Sequence, residues 1–201
     1  ESFWGFDGLQ ETATLHMDNA LDFENGNSFS PAVNVQFEGL REPFEVRKGV
    51  VVPAGSYTSP VSFGRANTDS RKWLSATMGW EIGGFLSGSQ VSLVPSVTMR
   101  SGANFSTTIR WQRNDIDLPQ GQFVANLASV RAAYNFTPLM NMQALVQYND
   151  STRRWSTNAR FNWQQTAASG LYVVYNDTEA FSGLGPVNRT FIIKYSHLID
   201  I

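Results

Sequence analysis

The sequence predicts an all-β, antiparallel transmembrane β-barrel domain spanning residues 1–201, and three observations predict it. Apolar and polar residues alternate at period two along most of the chain, so each such segment reads as a strand with two unlike faces. The connections between these segments sort by length: the short ones fall on one side and the long ones on the other, as in membrane barrels. Aromatic residues cluster near both ends of the apolar faces with aliphatics between them, the distribution that a bilayer imposes.

Composition agrees. Charged residues make up 16% and aromatics 13%, with six tryptophans, whereas charges run at about 25% in soluble domains. With a net charge of −2, nothing suggests a nucleic-acid footprint. The absence of cysteine excludes a disulfide scaffold and thiolate metal sites. Mean hydropathy is −0.24, and no run of about 18 apolar residues marks a spanning helix. Barrel strands hide their lipid-facing residues in alternation, so the mean value does not argue against a barrel. The chain opens on Glu1-Ser2-Phe3-Trp4, without a basic and apolar leader; the expectation is a cleaved signal or a piece of something longer.

Cutting the alternation at Gly, Pro, Asn, Asp and Ser clusters predicts eleven strands and no helix. The first covers Thr12 to Phe23, and Glu24-Asn25-Gly26-Asn27 turns it into Ser28 to Glu38, since Asn-Gly tolerates positive φ. The connection Leu40 to Ser56 contains Pro43 and Pro53, and Tyr57 to Arg65 forms a weaker third strand. Next come strands beginning near Lys72, Val91, Phe105 and Val124, followed by Met140 to Asn149, Arg154 to Gln164, Leu171 to Asn176, and Thr190 to Ile201. Short turns are expected at 24–27, 66–71, 100–103, 136–139 and 165–169, on the side of the C-terminus. The opposite side receives 40–56, 86–90, 114–122, 150–152 and 177–188, including all three long connections.

On the apolar faces, Phe37, Trp111, Tyr148, Trp155, Tyr175 and Phe191 are expected near the outer strand ends. Phe63, Phe105, Tyr134, Phe161, Trp163 and Tyr195 are expected near the inner ends, and together these residues make an aromatic girdle. The polar faces carry Arg100, Arg110, Arg131, Arg154, Arg160 and Lys194, a basic wall facing the lumen, with Asp18, Glu38, Glu81 and Asp200 as counter-charges. Such a wall either favours anionic or hydroxyl-rich solutes or closes into a salt-bridged plug. Trp73 and Tyr172 are the chief inward aromatics.

Asn114, Asp115 and Asp117 are expected in one outer loop, but calcium needs six or more oxygens, and no metal site is assigned. His16 and His197 are the two histidines. Parity puts Ser196 and His197 on opposite faces, which defeats a direct nucleophile–base hydrogen bond. No phosphate loop, zinc motif or nucleophile elbow is present. No catalytic residue and no cofactor is therefore assigned.

The final strand resembles the C-terminal assembly signal of bacterial outer-membrane barrels, a pattern filled by Lys194, Tyr195, Ile199 and Ile201. The runs Asn114 to Pro119, Tyr134 to Pro138, Gln143 to Asn149, Leu171 to Asn176, Asn188 to Tyr195 and Leu40 to Arg47 resemble an uncharacterised outer-membrane domain family. In that family the barrel follows a carbohydrate-binding module similar to family nine. The resemblance covers the C-terminal portion of such a protein and implies a surface-anchored barrel with no established reaction. Single-chain bacterial barrels have even strand numbers, and an open sheet edge in lipid costs several kcal/mol per unpaired group, as an order of magnitude. The eleven strands are therefore expected to be completed by strands outside this chain.

The expected function is a non-enzymatic porin-like channel of the bacterial outer membrane, or an anchor and scaffold for an N-terminal surface module. The expected partners are the lipid bilayer, the barrel-assembly machinery, and glycans or anionic solutes, with no nucleic acid. An outer-membrane hydrolase with its site in the outer loops, and a soluble β-sandwich binding protein, are the alternatives.

Overall fold

The structure, a computed structural model, describes residues 1–5, 8, 10–166, 169–180 and 186–197. The described residues form strands without helix, and thirteen of the strands make one sheet. The strands are β1 (Ser2–Trp4), β2 (Gln10–Asp18), β3 (Leu21–Asp22), β4 (Ser28–Leu40), β5 (Phe44–Arg47), β6 (Val50–Val52), β7 (Gly55–Asn67) and β8 (Leu74–Phe85). They continue with β9 (Gly88–Ser101), β10 (Phe105–Leu118), β11 (Gly121–Thr137), β12 (Met140–Asn149), β13 (Arg154–Thr166), β14 (Ser169–Ala180) and β15 (Pro186–Ser196).

The sheet order is β1-β2-β4-β7-β8-β9-β10-β11-β12-β13-β14-β15, with β3 added beside β4. Apart from β3 and the separate pair β5-β6, the strands follow sequence order, a meander built from hairpins. Among the described residues the order ends on β1 and β15, which are not paired with each other. All eleven expected strands are present. The first is broken at Asn19-Ala20, where the Asn19 amide donates to the Pro31 carbonyl and leaves β3 as a separate short strand.

Four features depart from expectation, one being that 177–188 is not all connection, since β14 runs to Ala180 and β15 starts at Pro186. The chain adds β1, paired to β2 through Ser2 and Ala13. Residues 40–56 are not a plain loop, since they contain the β5-β6 hairpin. Its turn is held by Gly49 at φ +86°, whose amide donates to Glu45 Oε1 at 2.8 Å. Residues 114–122 are not an outer loop either: β10 runs to Leu118, β11 starts at Gly121, and only Pro119 and Gln120 make the turn.

Contacts divide the chain into two compact units. The first comprises 1–69, 77–95 and 112–125. It holds a small apolar cluster of Val52, Leu86, Ile116 and Leu118, packed by Leu40, Val46, Val50, Tyr57, Phe85 and Phe123. The hairpin supplies Val52, which is 0% exposed. Arg47 fastens it further, with its guanidinium 5.0 Å over the Phe123 ring and a bond to the Val124 carbonyl. Leu86 holds φ +49° in the tight β8-β9 turn, a conformation costing about 1–3 kcal/mol for a non-glycine residue. Its burial in the cluster offsets that strain.

The second unit comprises 70–76, 96–111 and 126–201. Its framework is the ladder β11-β12-β13-β14-β15, in unbroken antiparallel register over most of its length. The β12-β13 turn is fixed by Asn149 Oδ1, which accepts from the Ser151 and Thr152 amides.

Candidate functional site

Alternation and register assign each strand two faces. In the first unit, Met17, Val33 and Ser62 share one face through the pairs Met17↔Val33 and Val33↔Ser62. His16, Asn34 and Val61 share the other. The apolar face is exposed, with Leu15 and Met17 at 62% and 63%, and on this outer strand His16 and Asp18 of the polar face are exposed too. On β8, Leu74 is 40% exposed beside Ser75 at 8%. That is the reverse of a water-soluble strand, where the hydroxyl faces solvent.

The polar face is internally hydrogen-bonded. In the first unit, Gln90 Nε2 donates to Glu81 Oε1 at 2.6 Å and Ser92 Oγ to Asn114 Oδ1 at 2.7 Å. In the second, Thr98 and Thr108 hydroxyls meet at 2.9 Å, and Asn158 Nδ2 donates to Asn176 Oδ1. These short polar side chains tie neighbouring strands to one another, as cross-strand pairs do.

The basic wall lies entirely in the second unit. Arg100 is tied down, donating to the Ser70 carbonyl at 2.8 Å and reaching Ser75 Oγ at 3.5 Å. Arg160 Nε donates to Asn158 Oδ1 at 2.9 Å. Register places Arg131 beside Leu145, Arg160 beside Gln143 and Val174, Arg154 beside Asn149, and Lys194 beside Tyr172. Among the described residues, no carboxylate is within ion-pair distance of Arg110, Arg131, Arg154, Arg160 or Lys194. The expected counter-charges Asp18, Glu38 and Glu81 belong to the first unit, and Asp200 lies outside the described residues.

The acidic groups of the second unit are placed elsewhere. Asp177 Oδ2 accepts from Arg189 Nη2 at 2.8 Å and from the Tyr175 hydroxyl, and Glu179 accepts from the same guanidinium. Register puts this cluster on the apolar face, since Tyr175 pairs with Ala159 and Phe191. Asp150 sits in the β12-β13 turn and accepts from the Asn126 amide.

The residues expected to form a girdle lie on strands, with Tyr148 and Trp155 as direct partners, centroids 4.8 Å apart. Trp163, Leu171 and Tyr195 line up in register across three strands, next to the row Phe161, Val173, Ile193. Tyr134 packs edge-on against Phe136 at 4.8 Å, and Trp111 Nε1 donates to Asn126 Oδ1. Phe37 pairs with Ala13 and Thr58, and Phe105 opens β10. Phe63 is a correction. It pairs with Ala32 on the polar face and meets His16 at 5.7 Å, because the register with β4 turns Val61 and Phe63 inward.

Asp115 and Asp117 are likewise not loop residues but lie on β10. Asp115 accepts from Arg113 at 3.1 Å and Asp117 from Gln122 at 2.8 Å. Alternation turns Asn114 to the opposite face, so the three do not converge on one point. His16 Nδ1 is 2.7 Å from Asn34 Oδ1. His197 stacks on Tyr195 and places Nδ1 3.2 Å from Ser169 Oγ. Ile199 and Ile201 of the expected assembly signal lie outside the described residues, whereas Lys194 and Tyr195 lie on β15.

Sequence alone puts Gln143 and Asn158 on polar faces but does not show their grouping with Asn176 around Arg160, which register decides. The signal present in the sequence is the polar face of β13, which carries Asn158, Asn162 and Gln164 on either side of Arg160. Comparison with protein-family models, with curated proteins and with solved structures finds no match.

Proposed function

We propose that this chain is the C-terminal portion of a bacterial outer-membrane β-barrel that works as a porin-like channel. The observation that carries the reading is the inverted burial: Leu15, Met17, Ile109 and Ile193 are exposed on one face while Ser75, Thr98, Asn158 and Asn176 are shielded or bonded on the other. In water, exposed apolar patches of more than a few hundred Å² are unusual in monomers. In a bilayer, the same face meets hydrocarbon and the polar face lines an aqueous interior.

Strands of 10 to 17 residues from β7 to β15 are long enough to span, because a tilted transmembrane strand needs about 9–11. Open edges on β1 and β15 are incompatible with hydrocarbon, so closure calls for strands beyond those described. The likeness to the outer-membrane domain family noted above points the same way, with an attached surface module as a further part of the protein.

Full-length protein in lipid vesicles tests the reading. Heat-modifiable gel mobility together with stepwise conductance in planar bilayers supports a channel. Insertion without conductance leaves the barrel as an anchor and scaffold. A monodisperse protein that stays in the aqueous phase without detergent sinks both.

A further inference from the structure

Arg131 and Arg160 stand on either side of β12, opposite Leu145 and Gln143, which are successive residues on the same face. The two arginine strands are therefore about 10 Å apart, two strand spacings, within reach of two extended guanidinium side chains. Between them is a depression of about 80 Å³ lined by Arg131, Gln143, Ala144, Leu145, Asn158 and Arg160. One water needs only about 10–15 Å³ of such space, so the depression admits an oxyanion group.

We propose that this depression is a binding site for a single carboxylate, sulfate or phosphate group, held by Arg131 and Arg160. The inference deepens the channel reading, for it names what the polar face selects. Arg160 is aimed by one bond: its Nε donates to Asn158 Oδ1, and Asn158 is itself fixed by Asn176. Its terminal nitrogens remain available, and a guanidinium presents a planar fork that matches an oxyanion.

The charge balance supports the assignment. Arg110, Arg154 and Lys194 share this face, and the described carboxylates of the unit are engaged elsewhere, by Arg189 and by the Asn126 amide. An arginine pair evolved as a strut would have a carboxylate beside it. Here an anion from solution takes that place.

The test uses the full-length protein, detergent-solubilised at low ionic strength, titrated by calorimetry with inorganic sulfate and separately with galacturonate. Saturable binding of either is expected, and both together show recognition of the charged group alone. Arg131→Gln and Arg160→Gln are each expected to weaken it at least about tenfold, the scale of a charge-assisted bond. Gln143→Glu, which sets a carboxylate between the arginines, weakens it similarly. Arg189→Gln, on the opposite face, stays within twofold of wild type.

No saturable binding by folded protein, or binding that survives both arginine substitutions, overturns the site. Because the titration needs no bilayer, a protein that binds sulfate but never inserts sinks the channel and keeps the site. Insertion without anion binding does the reverse.

Discussion

Trp80 lies across Gly64, its direct partner on the neighbouring strand: a Cβ at Gly64 would fall 2.6 Å from the Trp80 ring and 2.5 Å from the Ser30 carbonyl oxygen. Phe29 stacks on the same ring at 5.6 Å. The glycine thus makes room for an indole laid flat on the apolar face, which covers backbone that a bare glycine would expose. Replacing Gly64 by alanine is expected to cost about 1–3 kcal/mol, the scale of overpacking in a filled site. Urea unfolding followed by tryptophan emission reads both the loss and the ring's displacement. An unchanged midpoint and spectrum would show that the indole moves aside freely.

Ile109 is 57% exposed in mid-strand on the apolar face. If that face meets water, Ile109→Arg changes stability by no more than about 0.5 kcal/mol. If it meets hydrocarbon, the cost rises to about 2–4 kcal/mol. Unfolding in lipid vesicles is expected to show the larger value, while Thr108→Arg, on the opposite face, costs less.

Trp111, Trp155 and Trp163 stand exposed on the apolar face. Single-tryptophan variants retaining one of these are expected to be quenched by brominated acyl chains, most strongly with bromines near the headgroup, where such rings reside. Trp73 precedes β8, where alternation sets it off the Leu74 face, and its emission is expected to answer aqueous iodide instead. Equal iodide quenching of all four would contradict lipid contact.

Val52 pins the β5-β6 hairpin to the apolar cluster of the first unit. A carboxylate at Val52 has no partner there, and an unpaired buried charge is expelled rather than tolerated. Val52→Asp is expected to abolish hydrogen-exchange protection over 44–52 while the strand signal in circular dichroism stays intact. Global unfolding instead would make the cluster a support of the whole sheet.

The strands were legible in the sequence because the pattern that signals them is local. The partitions Met140, Met142, Ala144, Val146, Tyr148 and Trp155, Thr157, Ala159, Phe161, Trp163 each sort into one face, and the register confirms that these ten residues share it. The Asn25-Gly26 turn was legible for the same reason, with Gly26 at φ +82°. The β5-β6 hairpin escaped notice since Pro43 and Pro53 bracket two runs too short to alternate, and their stability comes from Leu86, Ile116 and Leu118 far along the chain. Asp115 and Asp117 read as a loop because acidic and amide residues mimic turn composition, whereas β10 continues to Leu118.

By itself the sequence determined the long strands and their two faces, since alternation at period two depends on nothing beyond neighbours along the backbone. Tertiary structure decided which residues from different strands come together: Arg131 and Arg160 around one depression on β12, Trp80 over Gly64, and Val52 with Leu118 in one cluster. Those meetings depend on register. A slip of one residue leaves every local pattern intact and moves each partner to the opposite face.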